Sequence, residues 1–329
     1  MDKKRWIALA IAAGLFVVSI ISQFSTAVMT ESWNDLFESD RNFSETVTED
    51  GNAFEKVAVI HLEGVIQSSD VGGLLNTTTY NHDVLLDMLD HAKEDENVEA
   101  VVLRVNTPGG GVVESEEVHD KIVDLQESDK PVYVSMGNMA ASGGYYVSAP
   151  AEHIVAHPAT LTGSIGVIME AINFAELADD LGVEFNTITS GEYKDIMSSF
   201  RPMTDDEENI LQTMIDEMYD DFVQVIVNGR DLDESTVREL GDGRIYTGSQ
   251  AEENGLVDSL GSLDDAIAKL QEDYHLQNSQ VVEYEYQMGF NAIMGGAAQR
   301  VISDEFRFSQ LEEMIRKSSA PRAMYLYTE

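Results

Sequence analysis

Short apolar runs alternate with helical patterns along most of this 329-residue chain. Residues with strand-like patterns fall at 57–62, 100–105, 131–135, 153–156, 165–169, 185–189 and about 281–286. Helical spacing of apolar residues predicts helices across 84–89, from about 114 to 126, shortly after 142, between 169 and 185, and from 205 to about 228. Such alternation is typical of parallel βαβ units and predicts an α/β domain. Because no internal repeat is evident, the chain is expected to carry one copy of this unit.

The beginning of the chain predicts a membrane anchor. Lys3, Lys4 and Arg5 precede an apolar run from Trp6, which weakens after Ile21 and continues to residue 29. That length is sufficient for a spanning helix, and basic residues tend to stay on the cytoplasmic side. We therefore predict a cytoplasmic segment at 1–5, a transmembrane helix at 6–29 and an extracytoplasmic remainder. A cleavable signal peptide is the alternative, since residues 25–27 offer a site with small side chains.

Beyond the anchor, three further regions are predicted. Residues 30–55 are polar and acidic and are interpreted as a linker, 56–287 as the main domain, and 288–329 as a C-terminal extension. The extension ends in apolar residues at alternate positions between 320 and 327, a pattern that suits an extended strand added to a groove. That groove would belong to the same or a neighbouring subunit; alternatively, the tail packs on the domain surface or has no fixed structure.

Composition narrows the classes of function. There are 60 acidic and 20 basic residues, for a net charge of −40, so binding to nucleic acid is not expected. The acidic residues are spread along the chain, which favours a halophilic source, because salt screens the repulsion between their carboxylates. An ordinary acidic protein is the alternative. The absence of cysteine excludes disulfides, thiolate metal sites and a cysteine nucleophile.

Three segments carry candidate chemistry. Asn106–Gly111 follows a predicted strand, and its glycines free backbone N–H groups to bind an anion or an oxyanion. Met139–Tyr146 exposes the hydroxyl of Ser142 between small neighbours at a strand-to-helix junction, as in a nucleophile elbow. In Ser190–Met197, Lys194 stands among apolar and aromatic residues.

Each segment also has a simpler structural interpretation. A glycine-rich turn commonly just connects a strand to a helix, and a serine at such a junction commonly caps the helix. The default for Lys194 is a surface lysine paired with Asp195 or Glu192. A histidine base also stays open, because His153 and His157 lie near Ser142 in sequence, although they look structural.

Together, the segments resemble the signal peptide peptidase A family of serine peptidases, in its short, single-copy form. The resemblance runs from about Val57 to Tyr286, with further matches at Leu161–Gly166 and Gly243–Gly248. It implies a Clp-protease/crotonase-like fold of repeated ββα units. It also implies Ser142 as nucleophile, Lys194 as general base and Ser164 as the residue that orients the lysine amine. Gly109 is implied as an oxyanion donor, and Gly143 follows as a less certain second donor.

The resemblance implies an extracytoplasmic serine endopeptidase that cleaves remnant signal peptides or other hydrophobic peptides, without a metal or another cofactor. The implied partners are peptide substrates, the cytoplasmic membrane and further copies of the chain, because in this family neighbouring protomers share the serine and lysine. Two rival functions remain: a crotonase-type acyl-CoA enzyme, which would lack CoA outside the cytoplasm, and a non-catalytic membrane scaffold.

Overall fold

The structure, a computed structural model, describes residues 43–68, 80–286 and 323–327. The chain separates into two compact units, Met1–Ser44 and Glu45–Glu329, and apart from two residues of the first strand every element belongs to the second. The described strands are β1 (Phe43–Glu49), β2 (Asn52–Glu63), β3 (Val98–Thr107), β4 (Gly109–Gly111), β5 (Val132–Ala141), β6 (His153–Ala156), β7 (Leu161–Gly163), β8 (Ile245–Thr247), β9 (Ser259–Leu260), β10 (Ser279–Tyr286) and β11 (Met324–Leu326). The described helices are α1 (His82–Glu94), α2 (Val112–Glu127), α3 (Gly143–Ser148), α4 (Ala175–Asp180), α5 (Asp205–Arg230), α6 (Glu234–Leu240), α7 (Gly248–Glu253) and α8 (Leu263–Asp273).

One large sheet organises the second unit. Its strand order is β1-β10-β2-β3-β5-β6-β9, and the neighbours from β10 to β9 run parallel. At the carboxyl end of β5, the strand β7 adds in parallel to Ala140 and Ala141, and β8 pairs antiparallel with β7. A second, two-stranded sheet joins β4 to β11. Both small additions lie where the central strand β5 ends, and that end is where α/β proteins hold their ligands.

The core lies on both faces of the central strands. Val57 and Val59 on β2 pack on one face with Ala266, Ile267 and Leu270 of α8. The intervening positions of β2 are buried as well, so this strand is covered on both sides. Near-continuous burial is what parallel strands between two helical layers require, and it explains the unbroken apolar runs in the sequence.

Most of the predicted elements are present with longer bounds. Two predicted strands, at 165–169 and 185–189, are wrong. In the first range only Ile168 forms a bridge, to Met324, and in the second no strand forms. A strand needs a partner for its backbone N–H and C=O groups. The segment at 185–189 lies on the surface, where Ile188 is 99% exposed, so its apolar pattern alone does not produce a strand.

The N-terminal predictions fall mostly outside the described residues. The predicted anchor at 6–29 and cytoplasmic segment at 1–5 lie there entirely. Of the predicted linker at 30–55, the described part forms β1 and the beginning of β2, because β1 finds a pairing partner in β10 despite its polar sequence. Within the part of the chain that the structure describes, none of the helices combines the length and the apolar character needed to cross a bilayer.

Candidate active site

Ser142 lies at the sharp junction between β5 and α3. Its backbone adopts φ 53° and ψ −115°, its N–H donates to the Gly163 carbonyl oxygen at 2.7 Å, and the residue is 1% exposed. The side chain does not cap α3, in contrast to the common role of a serine before a helix. Among the described residues, its Oγ has no hydrogen-bond partner. The backbone thus fixes the position of the hydroxyl, and no described residue forms a hydrogen bond with it.

Ser142 and Ser164 line the same cavity. It has a volume of about 360 Å³, and its other walls include Gly241 and Asp242 on one side and Leu326 of β11. Ser164 also has a positive φ of 50°, and its N–H donates to the Arg244 carbonyl oxygen at 2.8 Å. Two predicted site residues therefore meet in one cavity, both held in turns by backbone hydrogen bonds.

The glycine-rich segment lies against the start of α3. Gly109 has φ 101°, and a Cβ at this position would stand 2.6 Å from the backbone nitrogen of Gly143. The two predicted oxyanion donors are thus neighbours. The Gly109 N–H, however, donates to Thr107 Oγ1 at 3.0 Å, so in this conformation that amide is already used.

A segment of the chain's own C-terminus lies in the groove beside Ser142. Strand β11 pairs antiparallel with β4, with Tyr325 opposite Gly110, and the Tyr327 N–H donates to the Pro108 carbonyl oxygen at 2.9 Å. On its other edge, Met324 exchanges two hydrogen bonds with Ile168, of 3.0 and 3.1 Å. The tail is therefore held as a strand, paired with β4 on one edge and bridged by Ile168 on the other, the way an extended peptide is recognised. The described part of the tail, residues 323–327, thus lies in a groove as the sequence predicted, while residues 320–322 lie outside the described residues.

The side chain of Tyr325 fills a deep pocket. It is 1% exposed, stacks on Tyr146 with ring centroids 4.9 Å apart, and contacts Phe222 at 4.7 Å. Its hydroxyl donates to the Met218 carbonyl oxygen of α5 at 3.0 Å. Burial, followed by the nearby Tyr146 hydroxyl and the carboxylates of Asp221 and Glu116, raises the pKa of Tyr325. We call the site formed by Tyr146, Phe222 and the Met218 carbonyl the tyrosine pocket.

The carbonyl of Tyr325 points to the predicted oxyanion site. A Cβ on Gly109 would stand 2.0 Å from this oxygen, and one on Gly143 would stand 3.1 Å from it. The next residue, Leu326, lines the cavity of Ser142. The Tyr325 carbonyl and Leu326 thus both lie at the site that contains the candidate nucleophile.

Lys194 is not among the residues that line the cavity of Ser142. It is exposed, in a turn between α4 and α5, and its amine forms no ion pair with any described residue. Its neighbour Asp195 accepts two hydrogen bonds from Arg201, each of 2.8 Å, and Arg201 also binds Glu207 on the first turn of α5. This arrangement, the Arg201 clamp, fixes the turn of Lys194 to α5. The single chain therefore supplies the serine but does not bring the lysine to it.

The histidines near Ser142 in sequence do not reach it. His153 lies on β6, where its Nε2 is 2.8 Å from Ser259 Oγ and its ring stacks on Tyr133; burial lowers its pKa. The exposed His157 accepts a hydrogen bond from the Ala159 N–H. Neither residue lines the cavity, which removes the support for a histidine base.

One group among the described residues has the composition of a metal site, formed by Glu45, His91 and Asp95. The amine of Lys56 lies 2.7 Å from Glu45 and 3.4 Å from Asp95. Because this ammonium already pairs with both carboxylates, the group fits an ion-pair network better than a cation site.

Sequence reasoning missed the tyrosine pocket. Tyr146 lies in the predicted nucleophile turn and Phe222 in the predicted amphipathic helix, so neither segment indicates a shared pocket. The available signal was Tyr146, the second of the two tyrosines after Gly144, together with the alternating apolar tail. Only the packing of α3 against α5 shows that the two rings enclose one side chain.

Comparisons with known proteins show the family of the chain. Residues 124–277 match "Peptidase family S49". The chain is 36% identical to a putative signal peptide peptidase SppA of Enterococcus faecium, over 99% of each chain. It is 39% identical to a putative protease of Methanocaldococcus jannaschii, over 70% of this chain and 74% of that one.

Among solved structures, a mutant of the 1510-N membrane-bound stomatin-specific protease matches with a TM-score of 0.42 and 16% identity, covering 65% of this chain and 84% of that chain. The sequence matches, with near-complete coverage in one case, establish the family. The chain belongs to peptidase family S49 and is a serine peptidase of the signal peptide peptidase A type. The resemblance inferred from the sequence motifs is thereby confirmed, as is the expectation of an enzyme.

Proposed function

We propose that the chain is a membrane-anchored endopeptidase that acts on hydrophobic peptides through a dyad of Ser142 and Lys194. The observation that carries the proposal is the extended segment held across Ser142. Its backbone is bound on both edges, and its Tyr325 carbonyl lies beside Gly109 and Gly143. A groove that binds this segment as a strand suits peptide substrates generally, because most of its hydrogen bonds are to the main chain.

The proposed chemistry uses Ser142 and Lys194 in both halves of the reaction. Lys194 accepts the proton of Ser142 Oγ while that oxygen bonds to the substrate carbonyl carbon, and the Gly143 N–H stabilises the oxyanion. The carbon–nitrogen bond then breaks, and the leaving amine takes the proton from Lys194. Water attacks the resulting ester, passes a proton through the lysine, releases the acid and restores Ser142.

The lysine is proposed to come from a neighbouring protomer. Lys194 is exposed in the single chain and lies outside the cavity of Ser142. A lysine amine is a base only when it is neutral, and removal from water favours the neutral form. An interface would supply that burial and would place the amine beside Ser164. This serine lines the cavity of Ser142 and is proposed to orient the amine.

The segment that carries Lys194 has the surface of an interface. Between residues 172 and 203, an unusual number of large apolar side chains is at least two-fifths exposed: Ile172, Phe174, Leu177, Leu181, Val183, Phe185, Ile188, Phe200 and Met203. We call residues 172–203 the exposed arm. Apolar surface on this scale commonly marks a protein contact, and a second copy of the chain is the occupant that also completes the dyad.

Features of the sequence support the proposals of membrane attachment and of a hydrophobic substrate. The basic start and the apolar run to residue 29 support an anchor, with the domain at the outer face of the cytoplasmic membrane. A site tethered there meets remnant signal peptides and other hydrophobic segments first. We propose these as the natural substrates, without a metal or another cofactor.

Hydrolysis of a hydrophobic reporter peptide by the detergent-solubilised full-length protein tests the proposal. Ser142→Ala and Lys194→Ala are each expected to reduce kcat/KM by about 10³-fold or more, because each removes one member of the dyad. Lys93→Ala is the matched control, since Lys93 is a partly exposed lysine paired with Asp124. It should retain wild-type activity.

The result has clear alternatives. Full activity of Lys194→Ala, with unchanged assembly, would exclude Lys194 as the base. A wild-type protein that is inert towards peptides over a wide range of salt concentrations would favour the non-catalytic scaffold instead.

A further inference from the structure

The guanidinium of Arg201 joins two carboxylates, one beside Lys194 and one on α5. Its Nε and Nη2 donate to the two carboxylate oxygens of Asp195, each at 2.8 Å, and its Nη1 donates to Glu207 at 2.8 Å. Nη1 also donates to the Pro202 carbonyl oxygen at 3.1 Å, and Nη2 to that of Asp195 at 3.2 Å. Paired hydrogen bonds to one carboxylate fix the orientation of both groups, which a single exposed contact does not do.

The end of this clamp on α5 is firmly held. The Glu207 side chain is 2% exposed and accepts hydrogen bonds from the N–H and the hydroxyl of Thr204, at 3.0 and 3.1 Å. A carboxylate suits the first turn of a helix, because the free N–H groups lie there. On the turn itself, the Ser198 N–H donates to the Asp195 carbonyl oxygen at 3.0 Å. The backbone that carries Lys194 is therefore fixed relative to α5, although the lysine side chain is exposed.

The clamp also determines which charges can approach the lysine amine. The charged and titratable groups around the turn are Glu192, Tyr193, Asp195, Arg201, Asp206 and Glu207, and those that line the cavity of Ser142 are Asp216, Tyr219 and Asp242. A carboxylate paired with an amine favours the ammonium form, which cannot accept a proton. Asp195 is the acid next to Lys194 in sequence, and both of its carboxylate oxygens are bound by Arg201. Loss of Arg201 would release this carboxylate beside the amine.

We propose that Arg201 is a positioning residue for the general base. It holds the turn of Lys194 at a fixed place on α5, so that the amine can enter the cavity of a neighbouring Ser142, and it keeps the Asp195 carboxylate away from that amine. The inference rests on the proposed function, in which Lys194 is the base. It adds a residue that acts on the reaction only through that lysine.

Steady-state hydrolysis of the hydrophobic reporter peptide by full-length Arg201→Met tests this role. We expect kcat to fall about 100-fold while KM changes less than about threefold, because a displaced base slows the chemical step and leaves the peptide groove intact. The low-pH limb of kcat/KM should also move upward by about one pH unit, since the released Asp195 carboxylate favours the protonated amine.

Lys121→Met is the matched control for the loss of a paired cation. The amine of Lys121 makes two hydrogen bonds to the Asp90 carboxylate, of 2.7 and 2.8 Å, and joins α2 to α1. This pair, like the clamp, fixes one element to another through a carboxylate, but it lies outside the turn of Lys194. The variant should keep wild-type kcat, KM and pH limb.

A second substitution separates the effect of charge from a general loss of structure. In the double variant Arg201→Met with Asp195→Asn, no carboxylate is released beside the amine. The pH limb should therefore return to its wild-type position, and kcat should recover about tenfold, although the turn stays unclamped. A low-pH limb that does not move in Arg201→Met, together with reduced thermal stability, would overturn the inference and assign Arg201 to folding.

Mixed oligomers show whether Arg201 acts on the lysine of its own chain. Co-expression combines a Ser142→Ala chain, which supplies the lysine, with a Lys194→Ala chain, which supplies the serine. Arg201→Met in the lysine-supplying chain should reduce the restored activity by about 100-fold, whereas the same change in the serine-supplying chain should leave it nearly unchanged. Equal losses in the two mixtures would contradict a positioning role and indicate a role in assembly.

These outcomes also distinguish the inference from the proposed function. Loss of activity in Lys194→Ala, together with a wild-type pH limb in Arg201→Met, would leave the dyad in place and refute the role of Arg201. Mixed oligomers that are inactive without any change at Arg201 would instead contradict the sharing of the dyad between protomers. The pH limb of Arg201→Met would then decide the positioning role by itself.

Discussion

At the scale of single residues, Gly109 shows how closely the groove is fitted to a peptide. Its φ of 101° is rarely adopted by other residues, and its missing side chain leaves the space that the Tyr325 carbonyl oxygen occupies. The sequence pointed to Gly109 as a donor of its N–H. In the structure this N–H donates to Thr107 Oγ1. The carbonyl oxygen of Tyr325 instead occupies the space that a Cβ on Gly109 would fill.

Gly109→Ala is expected to reduce peptide hydrolysis by about 100-fold in kcat/KM, because the new methyl group stands where a substrate carbonyl would lie. The backbone strain should also cost stability, on the order of 1–2 kcal/mol. Hydrolysis and thermal unfolding of the full-length protein measure the two effects.

Gly255→Ala is the control for strain alone. Gly255 has φ 77°, and a Cβ there would come no nearer than 3.4 Å to a neighbouring atom. It should lose comparable stability while keeping its activity. Equal activities of the two variants would show that the approach to Gly109 has no part in substrate binding.

At the scale of elements, the beginning of α5 holds the turn of Lys194. Thr204 and Glu207 form a capping box, and Glu207 also binds Arg201, which in turn holds Asp195. The helix was evident from its apolar spacing, but the clamp was not, because a surface pairing of Lys194 with Asp195 had seemed the default. In the structure Arg201 is the partner of Asp195 instead.

The clamp predicts a particular dependence on pH. Arg201, with the Thr204 N–H, lowers the pKa of Glu207 from 4.5 to about 2, and Arg201 lowers that of Asp195 as well. Because both carboxyl pKa values are depressed on folding, the stabilisation is complete above about pH 4.5 and is lost as the pH falls towards 2. The difference in unfolding free energy between wild type and Arg201→Met should therefore be largest at neutral pH and vanish near pH 2.

Urea unfolding, followed by circular dichroism across that range, measures the difference. Arg238→Met is the control, since Arg238 forms exposed pairs with Asp220 and Glu234 away from the turn. A constant difference between wild type and Arg201→Met at all pH values would contradict the clamp.

At the scale of the whole molecule, a single chain holds a cavity with its serine but carries its proposed base on the exposed arm. If the base completes the site of a neighbour, two inactive variants should restore each other. Mixed oligomers of Ser142→Ala and Lys194→Ala, formed by co-expression, should regain about a quarter of wild-type activity, since random mixing places an intact serine beside an intact lysine at that share of sites.

Peptide hydrolysis by the purified mixture measures the recovery. The same two variants, expressed apart and mixed without subunit exchange, are the control and should stay inactive. A co-assembled mixture with no activity would place both members of the dyad within one protomer.

Much of this arrangement was predictable from the sequence, and the rest was not for identifiable reasons. Strands β2, β3 and β5 follow directly from apolar runs, and Ser142 from the small residues around it. The absence of strands at 165–169 and 185–189 depends on which edges find partners, and periodicity contains no such information. The tyrosine pocket needs residues from α3, α5 and the tail, which are far apart in sequence. The predictions of an anchor, an oligomer and a salt-adapted surface stay predictions.

The backbone at the two serines of the cavity has an energetic consequence. Ser142 and Ser164, with φ of 53° and 50°, both stand in a region that glycine occupies freely and other residues occupy at a cost of about 1–3 kcal/mol each. The folded state thus gives up free energy at the two positions where hydroxyls line the cavity. A chain selected only for thermal stability would carry glycine at both positions. Glycine would relieve this backbone strain, but the site would then have no nucleophile.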